Sequence, residues 1–344
     1  MPGLTRICLS LACLLLVARP AFTAADPASS VKDLQYGEAL YHYFQKDYFN
    51  SIVRLQIAQQ QQRLPSHARE AELLLGGLDL SYGLRNEARR IFQALLDDRS
   101  TDDSTRNRAW YYLAKISYER NDLPAALQAI GHIEGEMTPA TRTAALNLYS
   151  LLLMDQGDYR AAIGLLQDAR SGKHWAPYLN YNLGIALIRD QQQQRGIRQL
   201  DQLGEMRADT EEQRLLRDKA NLALGYSYLR DEEPASSRKA LERIRLEGPL
   251  SNKALLGTGW ADAENGDFAT ALVPWMELGQ RDKTDPAVQE SLLAIPYAMT
   301  RMNLHGRAVQ QYNTAIDLLI SEREKLGQSI LAIQQGDLQD ILLE

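Results

Sequence analysis

Eight small residues recur along this chain at nearly constant spacing: Ser51, Ala88, Ala126, Ala162, Gly196, Ser237, Ala271 and Ala308, separated by 37, 38, 36, 34, 41, 34 and 37 residues. Twelve residues before them stand Ala39, Gly76, Ala114, Ser150, Gly184, Gly225, Gly259 and Pro296, small in all but the last. Four residues after them stand Leu55, Phe92, Ile130, Leu166, Leu200, Leu241, Trp275 and Tyr312, all bulky. A period of this size is the mark of one supersecondary unit repeated along the chain. Small residues twelve apart fall on two helices, one on each side of a tight turn, and let those helices approach closely. The bulky residue four further on lies one turn along the second helix, on the same face. One such pair cannot bury its apolar face alone, so neighbouring pairs must stack.

The unit "AWYYLAKISYERNDLPAALQAI" carries Trp110, Leu113, Ala114, Ala126 and Ile130 in this frame, and "LNLYSLLLMDQGDYRAAIGLLQDA" and "YNLGIALIRDQQQQRGIRQLDQL" follow it well. The pattern resembles the tetratricopeptide repeat (TPR) family, whose unit is about 34 residues of helix–turn–helix. The resemblance spans residues 33–320. It implies an all-α, TPR-like α-solenoid: a right-handed superhelix of about eight helix-turn-helix repeats with a C-terminal capping helix. The expected organisation is a signal peptide over 1–25, the solenoid over 26–316 and a capping helix and tail over 317–344. Leu318, Leu319, Leu326, Ile330 and Ile333 give the cap an apolar face at helical spacing. The largest spacing excess predicts a long, charged, exposed connection at 204–219. Pro274 and Pro296 fall inside expected helices, where proline removes a backbone hydrogen bond, and they predict a kinked segment in units seven and eight.

Near the N-terminus, "ICLSLACLLLVA" is a 12-residue apolar run followed by the small residues of "RPAFTAAD". That is the order of a secretory signal peptide, and the run is short of the about 20 residues a membrane-spanning helix needs. Cleavage after Ala25 would export the chain, to the periplasm in a bacterium with two membranes. Cys13 sits inside the apolar run rather than at its end, which disfavours a lipoprotein. Both cysteines, Cys8 and Cys13, lie in this segment, so the processed chain would have no disulfide, thiolate metal site or cysteine nucleophile. Losing Arg6 and Arg19 moves the net charge from −6 to −8. That argues against nucleic acid, whose phosphates need a basic surface. No later segment reaches membrane-spanning length.

The stretch "QGDYRAAIGLL" (156–166) poses the question of chemistry through Asp158. It has relatives around Asp47, Asp122 and Asp267, each four residues before a small anchor. Gly or Asn before the acid suits a tight turn, and the acid can cap the next helix. The five histidines are dispersed without ligand spacing, and no GxSxG, phosphate loop or dinucleotide fingerprint occurs. The expectation is therefore no catalytic residue, no metal and no cofactor. An enzyme on such a scaffold would need an added catalytic domain, and about 24 residues follow unit eight.

The TPR resemblance implies that certain first-helix positions line an inner groove. They hold Tyr36, Leu40 and Tyr43 in unit one, and Tyr111, Lys115 and Tyr118 in unit three. Unit five gives Tyr178, Tyr181, Ile185 and Arg189, and units six to eight give Tyr226, Trp260 and Tyr297. Aromatic residues and arginine dominate binding hot spots, so this surface suits an extended or helical peptide, although some of these rings would pack on the next repeat. The Lys/Asn set of chaperone-tail-binding TPR proteins is not at these positions. The expected function is a non-catalytic protein- or peptide-binding scaffold or adaptor of the bacterial cell envelope. The alternative is an adaptor in exopolysaccharide synthesis or export that binds glycan or a polysaccharide-secretion partner. The oligomeric state is left open. Changing Trp260 and Tyr297 to Ala is expected to weaken partner capture with little change in melting.

Overall fold

The computed structural model describes residues 31–169 and 177–335. The expected signal peptide, both cysteines and residues 336–344 lie outside them. Within them, every expected hairpin turn holds one residue of positive φ, five positions before the small anchor: Lys46, Gly83, Asn121, Gly157, Gln191, Glu232, Gly266 and Asn303. The next amide then donates to a carbonyl five residues back, as Asp158 N does to Leu153 O at 2.9 Å and Asp267 N to Asp262 O at 2.9 Å. This left-handed closure ends the first helix and satisfies its last carbonyls. Asp122, Asp158 and Asp267 then accept from the amides of Ala125 (3.2 Å), Ala161 (3.0 Å) and Thr270 (3.0 Å), which starts the second helix. Asp158 is a cap. Asp47 departs from the expectation: its carboxylate accepts from Asn50 Nδ2 at 2.7 Å and pairs with His42 Nδ1 at 3.0 Å, and it makes no cap bond.

The described residues are all-α and fall into two compact units divided after Ala176. In the first, the pairs are α1 (Leu34–Phe44) with α2 (Tyr48–Gln60), α3 (Ala68–Ser81) with α4 (Arg85–Asp97), α5 (Asp103–Glu119) with α6 (Leu123–Gly131), and α7 (Pro139–Asp155) with α8 (Tyr159–Ala169). In the second they are α9 (Pro177–Arg189) with α10 (Gln193–Gly204), α11 (Glu211–Arg230) with α12 (Pro234–Leu241), α13 (Ser251–Glu264) with α14 (Phe268–Leu278), and α15 (Pro286–Arg301) with α16 (His305–Gln335).

The repeat frame is the packing frame. All eight anchors are buried, and the small residue twelve positions earlier receives the bulky one. A Cβ on Gly76 would lie 2.8 Å from Phe92, and one on Gly184 2.7 Å from Leu200. At Gly259 it would lie 2.5 and 2.6 Å from Cε2 and Cδ1 of Trp275, the largest fully buried side chain. Within each unit the first helices of successive pairs also pack on one another: α3 on α5 and α5 on α7, then α9 on α11, α11 on α13 and α13 on α15. Packing of that extent joins no two second helices among the described residues. The first helices therefore form the inner layer of each unit and the second helices the outer one.

The structure bears on three expectations. The excess at 204–219 goes mostly into helix: α11 begins at Glu211 behind a capping box of Thr210 and Gln213, and buries Leu216 and Asp218. Helices α14 and α15 run through Pro274 and Pro296, both buried, without a break. And no boundary separates unit eight from a cap at 316/317. Helix α16 is one element of 31 residues, and Leu326, Ile330 and Ile333 on its expected covering face stand exposed.

Candidate functional site

Ring positions on the inner layer are governed by what lies beside them on the next pair. In the first unit, Tyr36 and Tyr43 are core rather than groove. Tyr36 is buried and stacks on His67 with centroids 4.7 Å apart, and burial pushes both phenols up to about 12. Tyr111 is half-buried and tilts against Tyr112 at 5.2 Å, while Tyr118 donates from its hydroxyl to Asp155 Oδ2 on α7 at 2.8 Å. Lys115 lies between them on the same face of α5, and burial lowers its pKa, partly offset by Glu119.

The second unit gathers more of the expected residues. Tyr226, Trp260 and Tyr297 occupy one register on α11, α13 and α15, which pack side by side. All three are half-buried. Tyr226 donates to the backbone oxygen of Lys253 at 3.0 Å, and burial raises its pKa, helped by the charge of Glu290. Trp260 donates from Nε1 to Glu290 Oε1 at 2.8 Å, meets Trp275 edge-on at 4.9 Å and lies 6.0 Å from Tyr297. Phe268 meets Tyr297 edge-on at 6.0 Å, and the Arg301 guanidinium lies 5.0 Å from the Phe268 ring centre. On α9, Tyr178 and Tyr181 pack against the core that α10 and α11 share, and burial pushes Tyr178 up to about 12. Arg189 is exposed at the end of that helix.

The Tyr226 hydroxyl and the Trp260 indole N–H are thus spent on the fold, and ring surface is what these two residues can offer to a ligand. The flanking charges are mostly positive. Arg189, Arg230 and Arg301 recur at one register of α9, α11 and α15, and Lys219 and Lys253 recur at another on α11 and α13, against Glu264 and Glu290. These registers carry more cations than acids in a chain of net charge −6, although Arg230 is paired with Asp231 at 3.2 Å.

Two of the buried acids, which a search for chemistry would single out, are tied to arginines. Asp218 pairs with Arg245 Nε at 2.7 Å, and Asp262 pairs with Arg238. Arg243 bridges Asp201 and Glu205, each at 2.7 Å. The Asp262–Arg238 pair and the Arg243 bridges link one repeat to the next, whereas Asp218–Arg245 ties α11 to the residues just after its own partner α12. Sequence spacing gave no sign of them, because each joins residues 24 to 42 positions apart with no fixed interval. Among the described residues, no group of three or more His, Cys, Asp or Glu is placed to hold a metal ion.

A family profile for the tetratricopeptide repeat matches residues 82–131 and 222–286. Among solved structures, the chain is similar to a tetratricopeptide repeat protein from Parabacteroides merdae, at 13% identity over 76% of this chain and 99% of that one, with a TM-score of 0.51. It is also similar to a signal-transduction ATPase with a tetratricopeptide repeat sensor from Pyrococcus horikoshii, at 12% identity and a TM-score of 0.57. That match covers 85% of this chain and 48% of the other. No curated protein sequence matches.

Proposed function

The chain is a tetratricopeptide-repeat protein, and from that premise we propose that it is a non-catalytic scaffold of the bacterial cell envelope, holding a protein or peptide on the inner face of residues 177–335. TPR proteins are in general protein-interaction scaffolds. The observation that carries the reading is the strip of Tyr226, Trp260 and Tyr297, half-exposed rings aligned across three packed helices beside five cationic side chains. Half-exposed aromatics supply contact area at low entropic cost, and the positive rim favours a partner segment with acidic groups. Export to the periplasm rests on the leader-like residues 1–25.

The test reverses two exposed rim charges, Lys253→Glu with Arg301→Glu, and compares partners crosslinked in the native envelope by mass spectrometry. The proposal expects a partner captured by the wild type and lost from the variant, with the melting temperature changed by little. Capture that survives charge reversal refutes the inner-face assignment. The half-exposed rings could also stack sugars, and specific binding on a glycan array with no protein captured would favour the polysaccharide adaptor instead.

A further inference from the structure

Helix α16 is 31 residues long, yet only Ala308 and Ala315 on it are buried. They lie on the side packed against α15. From Arg323 to Gln335 every residue is exposed except the half-buried Ala332. Beside the packed side runs a second stripe. Val309, Ile316, Arg323 and Ile330 recur every seven residues, and so do Tyr312, Leu319, Leu326 and Ile333, three positions later. Alternating steps of three and four residues over 25 positions are the a/d seam of a two-stranded coiled coil. Leu319 is half-buried, and the other six apolar members are 37–58% exposed. A helix needs no such stripe to sit on α15, whose contact is made by the small residues next to it.

We infer that two copies of this chain pair through α16 as an antiparallel coiled coil centred on Ser321. The occupant and its direction follow from the one charged member of the seam. Parallel pairing would set Arg323 against Arg323 of the second copy in an apolar layer. Antiparallel pairing sets it against Leu319 of the second copy, with that copy's Glu322, which pairs with Lys325 of its own helix at 2.7 Å, about 4.5 Å further along the axis, where the carboxylate could be shared with the guanidinium. The remaining layers are then apolar throughout: Val309 on Ile333, Tyr312 on Ile330, and Ile316 on Leu326. The two-fold axis repeats each layer, so the contact is closed and stops at a dimer. The free surface of these side chains and their flanks comes to roughly 600 Å² per copy, about 1,200 Å² in all, at the lower edge for a specific, reversible complex.

Light scattering and sedimentation of the purified full chain test this. The wild type should pass from monomer to dimer with a midpoint on the order of 10 µM. Leu326→Lys with Ile330→Lys, both at exposed positions, should weaken the pairing at least about 100-fold with the helical circular dichroism unchanged. In a background with Cys8 and Cys13 changed to Ser, a chain with Val309→Cys mixed with one bearing Ile333→Cys should form a disulfide-linked pair that neither forms alone. A wild type that stays monomeric to about 1 mM overturns the inference, as does a lysine variant that pairs as well as wild type. Crosslinking of the Val309→Cys chain with itself overturns the antiparallel direction. If the chain dimerises only after residues 336–344 are removed, that tail covers the seam and the inference fails.

Discussion

Gly259 is the position where the repeat's close approach can be tested most severely. In an exposed helix, Gly→Ala stabilises by about 1 kcal/mol, because alanine is the better helix former. At Gly259 the added Cβ would enter the indole of Trp275, with 2.5 Å to Cε2 and 2.6 Å to Cδ1. That indole has no exposed surface, and its Nε1 donates to Leu256 O at 3.1 Å. It cannot step aside without losing that bond, worth about 1 kcal/mol. Overpacking of a full core adds about 1–3 kcal/mol. Gly259→Ala should therefore destabilise the second unit by about 2 kcal/mol, read as a lowered denaturation midpoint in urea. Gly164 in α8 is the control. A Cβ there meets nothing within 4 Å, so Gly164→Ala should stabilise by about 0.5–1 kcal/mol. Trp275→Leu alone should cost about 2–4 kcal/mol as a cavity. Combined with Gly259→Ala, it recreates the alanine–leucine pairing of Ala39 and Leu55, both fully buried in the first pair. The double variant should be more stable than the sum of its singles by at least about 1 kcal/mol. A stabilising Gly259→Ala, or additive singles, would refute the account of the small–bulky pairing.

The turns and one buried acid give further tests. Glu232 and Gln191 hold φ of 59° and 62°, where a residue with a Cβ pays about 1 kcal/mol, so Glu232→Gly and Gln191→Gly should each raise the denaturation midpoint, whereas glycine at a helical position such as Ala126 should lower it. Asp79 is buried in α3, and its Oδ1 has no hydrogen-bond partner among the described residues; burial, aided by the charge of Glu87, pushes its pKa up to about 6. The unfolded chain releases this proton near pH 4 and the folded one near pH 6, so stability present below pH 4 is lost as pH rises from 4 to 6. Asp79→Asn should remove that slope in pH-dependent unfolding and add about 2 kcal/mol above pH 6.

Much of the fold was legible because its rules are local and periodic. The spacing between anchors places each left-handed turn, each cap and each small–bulky contact, all within one helix pair. Less was legible wherever residues far apart in the sequence meet at no fixed interval. The excess length at 204–219 carries so much charge that it reads as a loop, yet Asp218 is buried against Arg245, and no interval in the sequence announces that bond. Pro274 and Pro296 read as the marks of a kinked segment; both are buried inside helices that continue past them. The cap at 317–335 was legible as an amphipathic helix. Its periodicity told that an apolar face exists and could not tell what the face meets. Among the described residues Leu326 and Ile330 are exposed.

The inner strip shows the same division at the site. First-helix register placed Tyr226, Trp260 and Tyr297 together correctly, since register is a property of one repeat. The depth of each ring depends on the neighbouring repeat: Gly257 makes room for Tyr226, and Glu290 receives the Trp260 indole. These residues therefore join successive repeats and line the face proposed for the ligand. Changing Trp260 and Tyr297 to Ala would remove an edge-on contact to the buried Trp275 and a hydrogen bond across repeats. Melting should fall by several degrees, since about 1 kcal/mol shifts a unit of this size by about 2–4 °C. The expectation that such a variant melts normally does not survive the structure, and loss of capture in it would not distinguish binding from folding. The rim cations do distinguish them. Lys253 and Arg301 are exposed, and reversing them changes the field over the strip; because Arg301 also lies over Phe268, which meets Tyr297, Lys253→Glu alone is the variant that leaves the ring contacts in place. Where the proposed contact rings are also joints between repeats, the proposal is best tested through a charge that makes no ring contact.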